Sequence, residues 1–99
     1  MKVNLSKNEL YLVKKILENH RSIYLFGSRV SGSSRRYSDL DICLKESISS
    51  YAYESLREAF EESDLLFTVD IVEYESVSDS FKSIIESTAV ALDQVIAIE

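Results

Sequence analysis

The chain has 99 residues, a length at which we expect one domain over residues 1–99 and exclude a second. It contains 45% hydrophobic and 28% charged residues, no proline and two glycines. This composition favours a folded globular chain over a linker or a disordered tail. The formal net charge of −6 argues against direct, unaided binding to nucleic acid.

The cysteine content and the start of the chain bear on its compartment. The single cysteine, Cys43, cannot form a disulfide framework. The segment 1–8 lacks the apolar run of a signal peptide, and no stretch of the sequence reaches the length of a membrane-spanning helix. We therefore expect a protein of the reducing cytoplasm that has no membrane partner.

The charges are distributed unevenly along the chain. Four arginines and no acids lie between residues 21 and 36, whereas residues 61–99 contain ten acids and one base. Four arginines alone would be typical of a solvated surface. Because both glycines also lie in the segment 21–36, this segment is a candidate for binding an anionic group.

Helical and strand-like patterns alternate in the first half of the chain. Ser6 and Glu9 form a capping-box sequence, and apolar residues at helical spacing predict a helix from Lys7 to about His20. The apolar run 22–26 that follows predicts a short strand buried on both faces.

Gly27 ends this strand, and residues 27–38 predict a turn-rich loop with about one helical turn inside it. Residues 40–44 predict a second strand, because side chains of two kinds alternate there. The apolar side chains on one face are Leu40, Ile42 and Leu44. The side chains predicted for the other face are Asp39, Asp41 and Cys43.

The second half continues the alternation. Ser49 or Ser50 predicts the start of a helix that ends near Ser63. Residues 66–74 predict a third strand, in which Asp70 lies on the face opposite to the apolar residues at 67, 69 and 71.

The end of the chain contains one further helix. Ser78 predicts its start, and Phe81, Ile84 and Ile85 are predicted to face inward. The segment 89–99 is apolar enough to form either a strand or a continuation of this helix, and the pattern does not decide between them.

The ends of the predicted strands carry the residues that suggest chemistry. Gly27 lets the backbone approach a ligand closely, and Ser28 offers a hydroxyl and amide groups to a phosphate. Asp39 and Asp41, two residues apart on a strand, point to one side as hard oxygen ligands suited to Mg²⁺. If the third strand lies beside the second, Asp70 projects from the same face.

Three carboxylates on one sheet face repel one another unless cations neutralise them, which is the setting of two-metal phosphoryl or nucleotidyl transfer. One metal would activate an attacking hydroxyl and the other would hold the triphosphate. Arg29 is the candidate for stabilising the developing negative charge. The carboxylates accept Mg²⁺ and Mn²⁺ alike, so the choice of ion stays open.

Four short segments together resemble the minimal nucleotidyltransferases of the DNA polymerase beta superfamily. They are LFGSR at 25–29, Gly32, SDLDI at 38–42 and VDI at 69–71, and the resemblance covers almost the whole chain in order. It implies an α/β (α+β) fold with a small mixed sheet flanked by helices, and ATP as a substrate. The catalytic residues it implies are Asp39, Asp41, Asp70 and Arg29. The metal ligands among them are Asp39, Asp41 and Asp70, and the nucleotide-binding residues are Gly27, Ser28 and Arg29.

The chain is also similar to the antitoxin component of MNT–HEPN toxin–antitoxin pairs. This resemblance implies an AMP-transferring, Mg²⁺-dependent enzyme whose partner is a HEPN-type toxin in a hetero-oligomer, with a tyrosine hydroxyl as the acceptor. Independently of the resemblance, a chain this short leaves little material for an acceptor pocket, which favours an acceptor presented by another protein. Two departures from the family pattern are Val30, where alanine is usual, and a tail after Ser87 without glycine.

Two alternative functions stay open at this point. The acidic second half could bind a basic nucleic-acid-binding enzyme, so that the protein neutralises its partner by binding alone. The same carboxylates could also serve a small-molecule nucleotidyltransferase of the aminoglycoside type. The sequence does not fix the nucleobase.

Overall fold

The structure is a computed structural model that describes residues 1–98. Its strands and longer helices are β1 Lys2–Val3, α1 Lys7–Ile16, β2 Ile23–Phe26, α2 Ser28–Ser31, β3 Leu40–Leu44, α3 Ser50–Glu61, β4 Val69–Glu73, α4 Asp79–Thr88, β5 Val90–Ala91 and β6 Ile96–Ala97. Short 3₁₀ turns span Tyr74–Ser76 and Leu92–Gln94. Over residues 1–98, none of the helices is both long enough and apolar enough to cross a membrane.

The main sheet is four-stranded, mixed and small, in the order β4-β3-β2-β5. β2 runs antiparallel to β3 and β5, whereas β3 and β4 are parallel and are joined through α3, as a parallel pair requires. β1 and β6 form a separate parallel pair. The predicted small mixed sheet flanked by helices is therefore confirmed.

The first helix begins as predicted and ends earlier. Both bonds of the capping box are present, because the Glu9 amide donates to Ser6 Oγ at 3.1 Å and the Ser6 amide donates to Glu9 Oε1 at 2.8 Å. The helix ends at Ile16 instead of near His20. Leu17 leaves helical geometry, and the His20 amide donates to the Leu17 carbonyl to close a turn that leads into β2.

Two further predictions need correction. β4 begins at Val69 and not at residue 66, because the chain turns before the sheet and leaves Leu66 exposed. In α4, Ile85 is fully buried as predicted but Ile84 is 53% exposed. The helix buries only a narrow stripe, and a neighbour one position away lies about 100° around it.

The sheet separates a large and a small apolar core. The large core lies on the face of Leu40, Ile42 and Leu44 and is covered by α1 and α3. The small core lies on the opposite face under α4, around Cys43 and Ile85. The segment 89–98 forms β5, a 3₁₀ turn and β6, so it adds strands and does not extend α4. Residue 99 of the predicted tail lies outside the described residues.

Candidate active site

The predicted carboxylates come from β3 and β4. These strands are parallel neighbours, and their register sets Asp41 directly beside Asp70. Neighbouring strands of a sheet lie about 4.8 Å apart, so residues that share a register position are adjacent. Asp39 precedes β3 by one residue and lies two positions before Asp41, so the alternation of the strand directs both to the face of the small core.

The Asp41 carboxylate is repelled by both of the other acids in the site. Burial raises the pKa of the Asp41 carboxyl, and the negative charges of Asp70 and then Asp39 raise it further. In the described part of the chain, no three acidic, imidazole or thiol groups already converge as a metal cluster. The donor set nevertheless fits Mg²⁺, because it consists of hard carboxylate oxygens whose mutual repulsion a divalent cation would relieve.

Gly27 places the end of β2 against this carboxylate. Its φ is +84°, in the region that glycine occupies without strain. A Cβ built on Gly27 would overlap Asp41 Oδ2 and would lie 3.0 Å from Asp41 Cγ. The glycine is therefore required for two reasons, and the Asp41 carboxylate lies directly on the backbone of the glycine-serine turn.

The glycine-serine turn continues into the short helix α2. The amides of Val30 and Ser31 donate to the Gly27 carbonyl at 3.1 and 3.0 Å, and Gly32 ends the helix with φ of +89°. This is the single helical turn predicted inside the loop. It places Ser28 at the helix start, next to the strand that carries Asp41.

Arg29 occupies a different position from the one expected for a group that contacts phosphate. Its side chain is 3% exposed, and its guanidinium lies 4.0 Å from the centre of the Phe67 ring. Burial lowers the pKa of the Arg29 guanidinium, and the carboxylates of Glu9 and Asp39 oppose this effect. Little of the side chain is accessible to a ligand.

The guanidinium of Arg29 binds three backbone carbonyl groups. Nη1 donates to Asn4 O at 2.6 Å, Nε donates to Ser38 O at 3.0 Å, and Nη2 donates to Arg36 O at 3.0 Å. Ser38 directly precedes Asp39. These bonds therefore connect α2, which carries Arg29, to the loop that leads to Asp39 and Asp41. A direct role for Arg29 in stabilising charge on the substrate stays a prediction, and its contacts favour a positioning role.

Sequence reasoning missed the partners of Arg29. Asn4 and Phe67 lie 25 and 38 positions away from it, and no local spacing rule links backbone carbonyls or rings over such separations. The arginine content of the segment 21–36 marked Arg29 as a candidate for contact with an anionic substrate, and not as a buried residue that binds backbone carbonyls.

The site and the fold together define a nucleotidyltransferase: a glycine-serine turn ends β2, and carboxylates come from the neighbouring strand β3 and from β4 beyond it. The comparison with protein families agrees. The model described as "Polymerase beta, Nucleotidyltransferase" matches residues 12–93. The chain belongs to this family.

The chain is also similar to one described protein and to two solved structures. The chain is 35% identical over 97 residues to the "Probable protein adenylyltransferase MntA" of Haemophilus influenzae, covering 93% of this chain and 85% of the relative. It is similar to a chain in a crystal structure of a toxin–antitoxin with AMP-PNP, with a TM-score of 0.66, 27% identity, and coverage of 84% of this chain and 71% of that one. A mutant MntA–HpeT toxin–antitoxin structure shares the fold, with a TM-score of 0.59, 21% identity, and coverage of 84% and 70%.

Proposed function

We propose that this protein is a protein adenylyltransferase and antitoxin, which transfers AMP from ATP to a tyrosine hydroxyl of a partner HEPN ribonuclease toxin. The observation that carries the proposal is the Asp41 carboxylate, which lies against the Gly27 backbone and beside Asp70. The likeness to an adenylyltransferase and to a toxin–antitoxin crystallised with an ATP analogue supports the choice of AMP and of a toxin partner.

The proposal gives the residues of the site three roles. Asp39, Asp41 and Asp70 would hold Mg²⁺, while Gly27 and Ser28 bind the triphosphate. Bound Mg²⁺ supplies positive charge that offsets the repulsion among the carboxylates and the charge of the phosphates. Arg29 keeps the turn and the carboxylate-bearing loop in a fixed relation.

The transfer is a single displacement at the α-phosphorus of ATP. The acceptor oxygen forms a bond to this phosphorus, and the bond from the phosphorus to the oxygen that bridges to the β-phosphate breaks. Pyrophosphate leaves with the electron pair of that bond. The proton of the hydroxyl passes to Asp70, which is exposed on the edge strand, and from there to water.

Intact-mass spectrometry of the partner toxin tests the proposal. The toxin is incubated with this protein, ATP and Mg²⁺, and we expect its mass to increase by one or more AMP units. Asp41→Asn should abolish the increase, because the central carboxylate is lost while the side-chain volume is kept. Asp93→Asn, at an exposed acid outside the site, should behave like the wild type.

Two results would count against the proposal. Unchanged transfer by Asp41→Asn would exclude the carboxylate mechanism. A stable complex with the toxin without any mass increase, for wild type and variant alike, would instead favour an antitoxin that acts by binding alone.

A further inference from the structure

A cleft of about 400 Å³ lies at the outer edge of the sheet, between the end of α3 and the start of β4. Its apolar lining is supplied by Phe60, Leu65, Phe67 and Val69. Its polar lining is supplied by Arg57, Glu61, Thr68 and Asp70. Asp70 therefore belongs both to the carboxylate group of the candidate active site and to this cleft.

The charges at the cleft are already paired on one side. Arg57 binds Glu54 at 2.9 Å and also binds Glu61, its neighbours on the same face of α3. Two carboxylates therefore compensate the charge of Arg57, and this cation is not free to bind a phosphate group. The accessible apolar surface of the cleft comes from the half-buried Leu65 and Val69, behind which Phe60 and Phe67 are buried. This surface favours an apolar guest.

The cleft lies on the side of the sheet from which an acceptor must approach. The glycine-serine turn ends β2, the Asp41 strand comes next, and β4 with Asp70 is the edge strand beyond it. In an in-line displacement the attacking and leaving oxygens lie on opposite sides of the phosphorus. If the leaving pyrophosphate lies at Gly27 and Ser28, the acceptor hydroxyl arrives over β4, beside the cleft.

We infer that this cleft is the docking site for the acceptor protein. It binds an apolar side chain of the segment that presents the reacting hydroxyl, and it brings that hydroxyl next to Asp70. The inference rests on the proposed function and deepens it. It also explains how the protein selects a segment of its partner, because a shallow cleft with an apolar lining and a single carboxylate suffice to align one.

Filling the cleft from its exposed rim tests the inference. The Thr68 side chain is exposed, and it lies two positions before Asp70 in the same ladder, since the Thr68 carbonyl accepts from the Leu40 amide. For Thr68→Trp we expect the KM for the partner toxin to rise at least tenfold, while the KM for ATP stays within twofold of the wild type. Ser76→Trp introduces the same side chain at an exposed position beyond the other end of β4, and it should leave both values unchanged.

A second variant guards against a folding defect in the first. Leu65→Ala removes part of the apolar lining from a half-buried position, and it should raise the KM for the toxin about threefold without changing the KM for ATP. An unchanged KM for the toxin in a folded Thr68→Trp or Leu65→Ala protein would overturn the docking site. Failure of the wild type to transfer AMP would instead overturn the proposed function, so the two failures are distinguishable.

Discussion

Gly27 is the residue at which the backbone and the central carboxylate of the site come into contact. Two constraints act on it at once, a positive φ and a lack of space for a Cβ beside Asp41. Gly32 is subject to only the first constraint, because its φ is also positive but no atom lies within 4 Å of a built Cβ. A comparison of the two glycines therefore distinguishes the effect of backbone strain from the effect of crowding the site.

Replacing each glycine by alanine should give different effects on activity. Gly32→Ala should lose about 1–2 kcal/mol of unfolding free energy, because Gly32 has left-handed helical geometry. Gly27→Ala should lose about 1–3 kcal/mol, because the φ of +84° and ψ of −160° at Gly27 lie in a region that is essentially restricted to glycine. Only Gly27→Ala should also displace the Asp41 carboxylate, and we expect it to reduce AMP transfer at least a hundredfold while Gly32→Ala keeps most of its activity. Urea unfolding and toxin mass measurement check the two quantities. Equal activity in the two variants would contradict the close contact between Gly27 and Asp41.

Individual residues also show what the sequence could and could not predict. The alternation in 40–44 predicted β3 and the common face of Asp39 and Asp41, because side-chain direction in a strand depends only on neighbours along the chain. The burial of Arg29 could not be predicted in this way. It depends on the carbonyl of Asn4 and the ring of Phe67, which tertiary folding brings to it.

The ends of the helices and strands show the same difference between features set by local sequence and features set by tertiary contacts. Serine caps predicted where α1, α3 and α4 begin, because a cap acts on amides two or three residues away. The predicted end of α1 was about four residues too late, and the predicted start of β4 was three residues too early. These boundaries depend on where the chain must turn to meet the sheet, which no local pattern encodes.

The start of α3 offers a matched test at the scale of an element. The sequence left Ser49 and Ser50 as equal candidates for the cap, and in the structure Ser49 Oγ accepts from the Ala52 amide at 3.0 Å. Ser49→Ala should therefore lose about 1 kcal/mol of unfolding free energy. Ser50→Ala should stay within about 0.5 kcal/mol of the wild type, because Ser50 lies inside the helix. Urea unfolding of both variants checks this, and a larger loss for Ser50→Ala would assign the cap to the wrong serine.

At the scale of the whole molecule, the two faces of the main sheet differ. One face carries only the large core, whereas the other carries the small core and the carboxylates of the site. The face of Leu40 and Ile42 carries the large core, which needs α1 and α3. The opposite face carries the carboxylates near one end of β3, while α4 covers its other end through the small core. From β2 to β4, the glycine-serine turn, the carboxylates and the proposed acceptor cleft follow one another across the strands.

The attachment of α4 to the sheet should make the stability of the whole protein depend on pH. Lys45, directly after β3, binds Glu86 of α4 at 2.6 Å and lies over the rings of Tyr24 and Tyr74. The hydrogen bond from Lys45, and then one from Tyr74, lowers the pKa of Glu86, while the bond to Glu86 raises the pKa of Lys45. Stability from Glu86 is therefore present above its ordinary pKa of 4.5 and is lost as the pH falls through the lowered value.

The stabilising contribution of Lys45 depends on pH in the opposite direction, because it is lost in alkali and not in acid. It is fully present below the ordinary pKa of 10.5 and is lost as the pH rises through the raised value. We therefore expect Lys45→Met to be less stable than the wild type at neutral pH, and we expect this difference to shrink when urea unfolding is repeated in acid below the lowered pKa of Glu86. Lys15→Met removes an exposed pair with Glu18 and should change stability little at any pH. A difference for Lys45→Met that stays constant from neutral to acid pH would show that the lysine acts through the tyrosine rings and not through Glu86.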